Sequence, residues 1–114
     1  MRVNTKDLRD LVHFTGQGPH HGVVFESEHL WSEVVCLERA QELGPIADRD
    51  SDALCVLLAG EAAVQVGKAR KRLGQWGATL VPAGSELTIR NASIEPAVIL
   101  LVAAPPPTPR PLSE

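Results

Sequence analysis

The chain is 114 residues long, 44% hydrophobic and 22% charged, which fits one globular domain with one modest core. Its formal net charge of −3 at pH 7 supplies no electrostatic reason to bind nucleic acid or an anionic membrane. Two Trp, two Phe and no Tyr leave few rings on which bases or sugars could stack.

Residues 4–12 hold Thr5, Asp7, Leu8, Leu11 and Val12, and a cap at Thr5 with leucines three apart predicts a short N-terminal helix. A loop rich in Gly and His follows over 15–22. From there the pattern is strand after strand: 22–25, 31–37 and 53–59, the last a nearly unbroken apolar run of the kind expected when both faces are covered. Gly60-Glu61 reads as a tight turn into 62–66, and Gly67-Lys68 as another into 69–73. Residues 79–81 lead to the reversal Pro82-Ala83-Gly84; 86–91 alternate, and 97–103 form the last strand. Eight short strands without a crossover helix predict an all-β, antiparallel sandwich or barrel. The expected organisation is an N-terminal segment over 1–21, a barrel over 22–104 and a Pro-rich tail over 105–114, since proline cannot pair inside a sheet. The longest apolar run, 97–104, falls far short of the roughly 20 residues that span a bilayer. No apolar stretch of signal-peptide type opens the chain, so the expected location is cytoplasmic.

Two stretches resemble the paired motifs of the cupin superfamily. The family's first motif has two histidines one residue apart, a glutamate, then an apolar strand closing on a glycine turn. Ala53-Leu54-Cys55-Val56-Leu57-Leu58-Ala59-Gly60-Glu61 is similar to that run. The second motif is a glycine, a short strand, Pro-x-Gly, two residues, a histidine, three residues and an asparagine. Gly77 leads here to Pro82, Gly84, Leu87 and Asn91, with Pro82, Gly84 and Asn91 at the family's spacing and Gly77 one residue nearer Pro82 than usual. The resemblance covers 31–104. It implies a single-domain double-stranded β-helix, a jelly-roll barrel, paired through its sheets as a homodimer, an arrangement that the apolar runs 53–59 and 97–103 suit.

Counted back from Gly60, the family's metal-binding glutamate falls on Ala53. Its two histidines fall on Ile46 and Asp48, or on Ala47 and Arg49, and the second-motif histidine falls on Leu87. Transition-metal sites need several N, O or S donors converging on one point, and Asp48 alone survives from that set. The expectation is therefore no cofactor, and no warrant for chemistry that runs through the metal. If Ala53 and Leu87 point inward, as the resemblance implies, alternation turns Cys55, Leu57, Ile89 and Asn91 inward as well. With Trp76, these seven are the candidate lining of an interior that is either packed or shaped for a small apolar ligand.

Other chemistry-bearing residues have simpler accounts. A replacement metal site from His20, His21 and Asp48 is the alternative, but adjacent strand residues face opposite ways, and hydrogen-bonded or solvated histidines are the simpler account of these two and of His13 and His29. Asp48, Asp50 and Asp52 begin like a calcium loop, yet Ala53 and Ala59 stand where glycine and glutamate are needed. Lys68, Arg70, Lys71 and Arg72 read as an edge charged against aggregation. Cys36 and Cys55 match no metal or redox spacing and read as reduced core residues. Three readings of function follow: a non-catalytic barrel binding a small apolar molecule; a small enzyme, dioxygenase- or isomerase-like through non-standard His and Asp ligands, or metal-free through Cys55 or Glu86; and an interaction module using the PxxP spacings of the tail.

Overall fold

The computed structural model describes residues 3–107. A 3-10 turn, Leu8–Leu11, precedes nine strands: β1 (His20–Glu26), β2 (Trp31–Leu37), β3 (Glu42–Ile46), β4 (Asp52–Ala59), β5 (Ala62–Val66), β6 (Ala69–Leu73), β7 (Ala78–Val81), β8 (Leu87–Arg90) and β9 (Ala97–Ala104). They build a five-stranded sheet, ordered β1-β2-β9-β4-β7, and a four-stranded sheet, ordered β3-β8-β5-β6. Every paired neighbour is antiparallel. Among the described residues this is an all-β jelly roll in which the chain passes repeatedly from one sheet to the other.

Alternation decides what lies between the sheets. From the larger sheet, Val35, Leu37, Cys55, Leu57, Val81, Ala97, Ile99 and Leu101 turn inward; from the smaller, Ala62, Val64, Leu73, Leu87 and Ile89 meet them. The opposite faces of β1, β2 and β9 carry a second buried cluster, Val24, Val34, Cys36 and Val98, which Leu8, Leu11 and Phe14 of the N-terminal segment cover. β2 is thus buried on both sides. β4, whose unbroken apolar run predicted the same, is not: Leu54 is 42% exposed on its outer face.

The cap of the short N-terminal helix and the placement of two histidines are corrected, and one strand is added. The N-terminal helix is one 3-10 turn, and Asp7 rather than Thr5 caps it, its side chain accepting from the Arg9 amide at 3.0 Å. His20 and His21 lie on β1 rather than in the preceding loop. β3 went unread because Gly44-Pro45 interrupts it and its side chains are mostly exposed. Gly44 is needed there: it has φ +104°, and a Cβ would run into the Leu87 carbonyl of β8. Residues 108–114, most of the predicted tail and of its PxxP spacings, lie outside the described residues. Within the described part, Pro105 accepts a hydrogen bond from the Ser51 hydroxyl at 2.6 Å.

Candidate functional site

Glu33 is the charged residue in the β2 sequence Trp-Ser-Glu-Val-Val-Cys-Leu. Strand parity puts it on the inward face with Val35 and Leu37, and it keeps 9% of its exposure. A buried carboxylate is costly without a partner. β1 supplies one: Nδ1 of His21 lies 3.0 Å from Oε2 of Glu33. An ionised carboxylate only accepts, so Nδ1 carries the proton and donates it. That hydrogen bond lifts the imidazole above its ordinary value of 6.5; partial burial opposes the rise and the charge of Glu33 adds to it. His21 is the more exposed member, so the pair runs from the mouth of the barrel to its inner wall.

A cavity of about 720 Å³ opens beside this pair, within the size range of small-molecule sites. It occupies the end of the barrel where β4 and β8 begin and β9 finishes. Cross-strand register explains its walls: Ala53 stands opposite both Ala103 and Val81, and Trp31 opposite Ala103. Leu87 and Leu101 line it from the two sheets, Ile46 enters from the end of β3, and the loop before β4 brings in Ala47 and Asp48. Small side chains at 53 and 103 leave space that leucines would fill.

The positions that resemble the family's ligand set therefore converge. Ile46, Ala47, Asp48, Ala53 and Leu87 all line this cavity, and Arg49 does not. Their chemistry does not fit a transition metal: Ala53 and Leu87 have no donor atom, and Oδ1 of Asp48 accepts the Asp50 amide at 2.8 Å. Among the described residues no three His, Cys, Asp or Glu side chains are placed to hold an ion. Of the alternative set, His21 and Asp48 line the cavity but His20 does not. His20 stands on the other face of β1, its ring edge-on to His13 with centroids 4.9 Å apart.

The remaining candidates part company with Ala53 and Leu87. Cys55, Leu57, Ile89 and Asn91 point inward as alternation predicts, but all are fully buried in the packed end of the barrel and none borders the cavity. Burial alone pushes the Cys55 thiol up to about 12, which removes the thiolate a nucleophile needs. Glu86 is exposed and also lies outside the cavity. Asn91 is a structural clamp: Nδ2 donates to the carbonyls of Leu37 (3.0 Å) and Glu95 (2.8 Å), and Oδ1 accepts the Ser93 amide at 3.0 Å. Trp76 is 75% exposed at the far end, in a turn with φ +74°, where its amide donates to the Leu57 carbonyl at 2.8 Å. Glu33 escaped the sequence reading. The signal was present, since a lone carboxylate shares the inward parity of Val35 and Leu37.

No family model matches the chain, and no curated protein matches it. Solved structures do. The chain is 31% identical to the structure of TT1209 from Thermus thermophilus, with 92% of this chain and 100% of that one covered at a TM-score of 0.88. It is 19% identical to an uncharacterized conserved protein with a double-stranded beta-helix domain from Klebsiella pneumoniae, with 91% of each chain covered at a TM-score of 0.84. The cupin domain of Cnp3 from Schizosaccharomyces pombe is 21% identical, with 92% of this chain and 71% of that one covered at a TM-score of 0.80.

Proposed function

We propose that this chain, which belongs to the cupin superfamily, is a non-catalytic barrel that binds a small molecule with an apolar body and works without a resident metal. The observation that carries this reading is the conversion of the ligand positions into wall: Ala53, Leu87 and Ile46 border a cavity of about 720 Å³ where donor atoms would otherwise converge. An apolar lining with a few polar groups is the usual make-up of a small-molecule site. The test has two parts. Protein purified without chelator should contain no stoichiometric Fe, Mn, Zn, Ni or Cu by elemental analysis. It should also bind the neutral fluorescent probe N-phenyl-1-naphthylamine with a stoichiometry near one. A stoichiometric metal would overturn the reading in favour of a metal-dependent enzyme.

We further propose that the working unit is a homodimer joined through the outer face of the five-stranded sheet, and that it resides in the cytoplasm. Leu54 and Leu80 are cross-strand partners on that face, and they are 42% and 64% exposed. Trp76 lies next to β7 in the chain and is more exposed still. Apolar area of this kind on a small barrel favours self-association. Light scattering on Leu80→Glu should report a monomer where the parent chain is a dimer. Two free, buried cysteines accord with a reducing compartment. No helix among the described residues is long and apolar enough to cross a membrane.

A further inference from the structure

Glu33 brings a carboxylate to the cavity wall. Glu33 engages His21 through Oε2, and among the described residues no hydrogen bond reaches its Oε1. Since no buried side-chain oxygen or nitrogen among them is left unpartnered, Oε1 reaches open space rather than packed protein. Among the described residues no Lys or Arg lines the cavity. β4, β7, β8 and β9 contribute no titratable side chain to the lining. Among the described residues His21 is the base in contact with Glu33, and it brings at most one positive charge to the pair. Among the described residues, such a wall offers an organic anion no Lys or Arg as counter-charge. A wholly apolar guest would cover Glu33 Oε1 and give it nothing in exchange for water.

We propose that the cavity takes a small organic cation, a primary ammonium on an apolar body. The ammonium donates to Oε1 of Glu33, and the apolar body lies against Leu87, Leu101 and Val81. His21 acts as a positioning residue: its Nδ1–H fixes the carboxylate so that the second oxygen faces the guest. Trp31, in the same wall, is the aromatic side chain that best tolerates a neighbouring cation. This assignment rests on the ligand-binding reading above and adds the chemical class of the ligand.

The test uses three probes that share one apolar body: octylammonium, octanol and octanoate. Trp76→Phe leaves Trp31 as the sole indole, so its fluorescence reports occupancy of the cavity. At neutral pH and low salt, octylammonium should bind about tenfold more tightly than octanol, as a charge-assisted hydrogen bond implies, and octanoate should bind most weakly. Glu33→Gln in the same background should erase the advantage of octylammonium while leaving octanol nearly unchanged. Equal binding of all three, or a preference for octanoate, overturns the inference and leaves the apolar cavity standing. If none of the three perturbs Trp31, both the inference and the binding reading fall. Should Glu33→Gln not fold, the ranking of the head groups on the Trp76→Phe protein decides alone.

Discussion

The two ends of the barrel interior are lined by the same strands and differ in what those strands carry. At one end Leu37, Cys55, Leu57, Ile89 and Ile99 fill the space completely, and the polar residue among them, Asn91, has its amide fully engaged. At the other, Ala53 and Ala103 are small, Glu33 and His21 are polar, and a cavity opens. Strand direction ties the two together: along β4 the inward residues run from Ala53 at the open end to Leu57 at the packed end. Ala53 and Leu57 are four positions apart on one strand, yet one borders the cavity and the other lies in the packed core. Inward parity is common to both ends, so parity alone does not distinguish a core from a pocket; side-chain volume does.

That contrast can be broken by substitution. The largest effect is expected at Leu57→Ala, which leaves a cavity where packing is complete and should cost about 3–4 kcal/mol in chemical denaturation. Asn91→Ala orphans the carbonyls of Leu37 and Glu95 and should cost about 2–3 kcal/mol by the same measurement. At the open end Ala53→Leu should change stability by about 1 kcal/mol or less, because the added atoms enter existing space, while abolishing binding of N-phenyl-1-naphthylamine. A cost at Ala53→Leu comparable to that at Leu57→Ala would show that the two ends do not differ as described.

The smallest effect is a pH dependence confined to the open end. His21 titrates above 6.5 in the folded chain because Glu33 accepts its proton-bearing nitrogen. A raised folded value means that the pair adds stability below the unfolded histidine range and loses it as pH rises through the folded value. His21 is 43% exposed, so solvent screening keeps the effect to about 1 kcal/mol or less. Comparing the parent chain with His21→Asn at about pH 6 and about pH 8.5, the difference should shrink at the higher pH. An unchanged or growing difference would mean that the hydrogen bond does not govern the titration.

Much of this molecule was legible in advance. Turn signals at Gly60-Glu61, Gly67-Lys68 and Pro82-Ala83-Gly84 located the hairpins and the bend before β8, because those positions need backbone shapes that few residues adopt. Motif spacing led to Ala53 and Leu87, which do meet in one cavity with Ile46 and Asp48. β3 was not legible, since a strand with exposed side chains and an internal Gly-Pro has no hydrophobic period to read. The grouping of Cys55, Leu57, Ile89 and Asn91 with the pocket failed for a different reason. Depth along a barrel axis depends on register between sheets, and no single strand encodes that. Trp76 was grouped with the pocket because its side chain is large, whereas its left-handed turn lies at the opposite end. Glu33 was hidden by its company, an isolated charge in an otherwise apolar strand.

The cover that Leu8, Leu11 and Phe14 lay over the outer face of β1, β2 and β9 has a consequence for how the molecule breathes. β2 is flanked by paired strands on both edges and shielded on both faces, so its amide protons can reach solvent only when the whole barrel opens. β6 and β7, each at a sheet margin, can fray on their own. Deuterium should accordingly enter the middle of β2 last, and a chain shortened past Phe14 should lose that protection first.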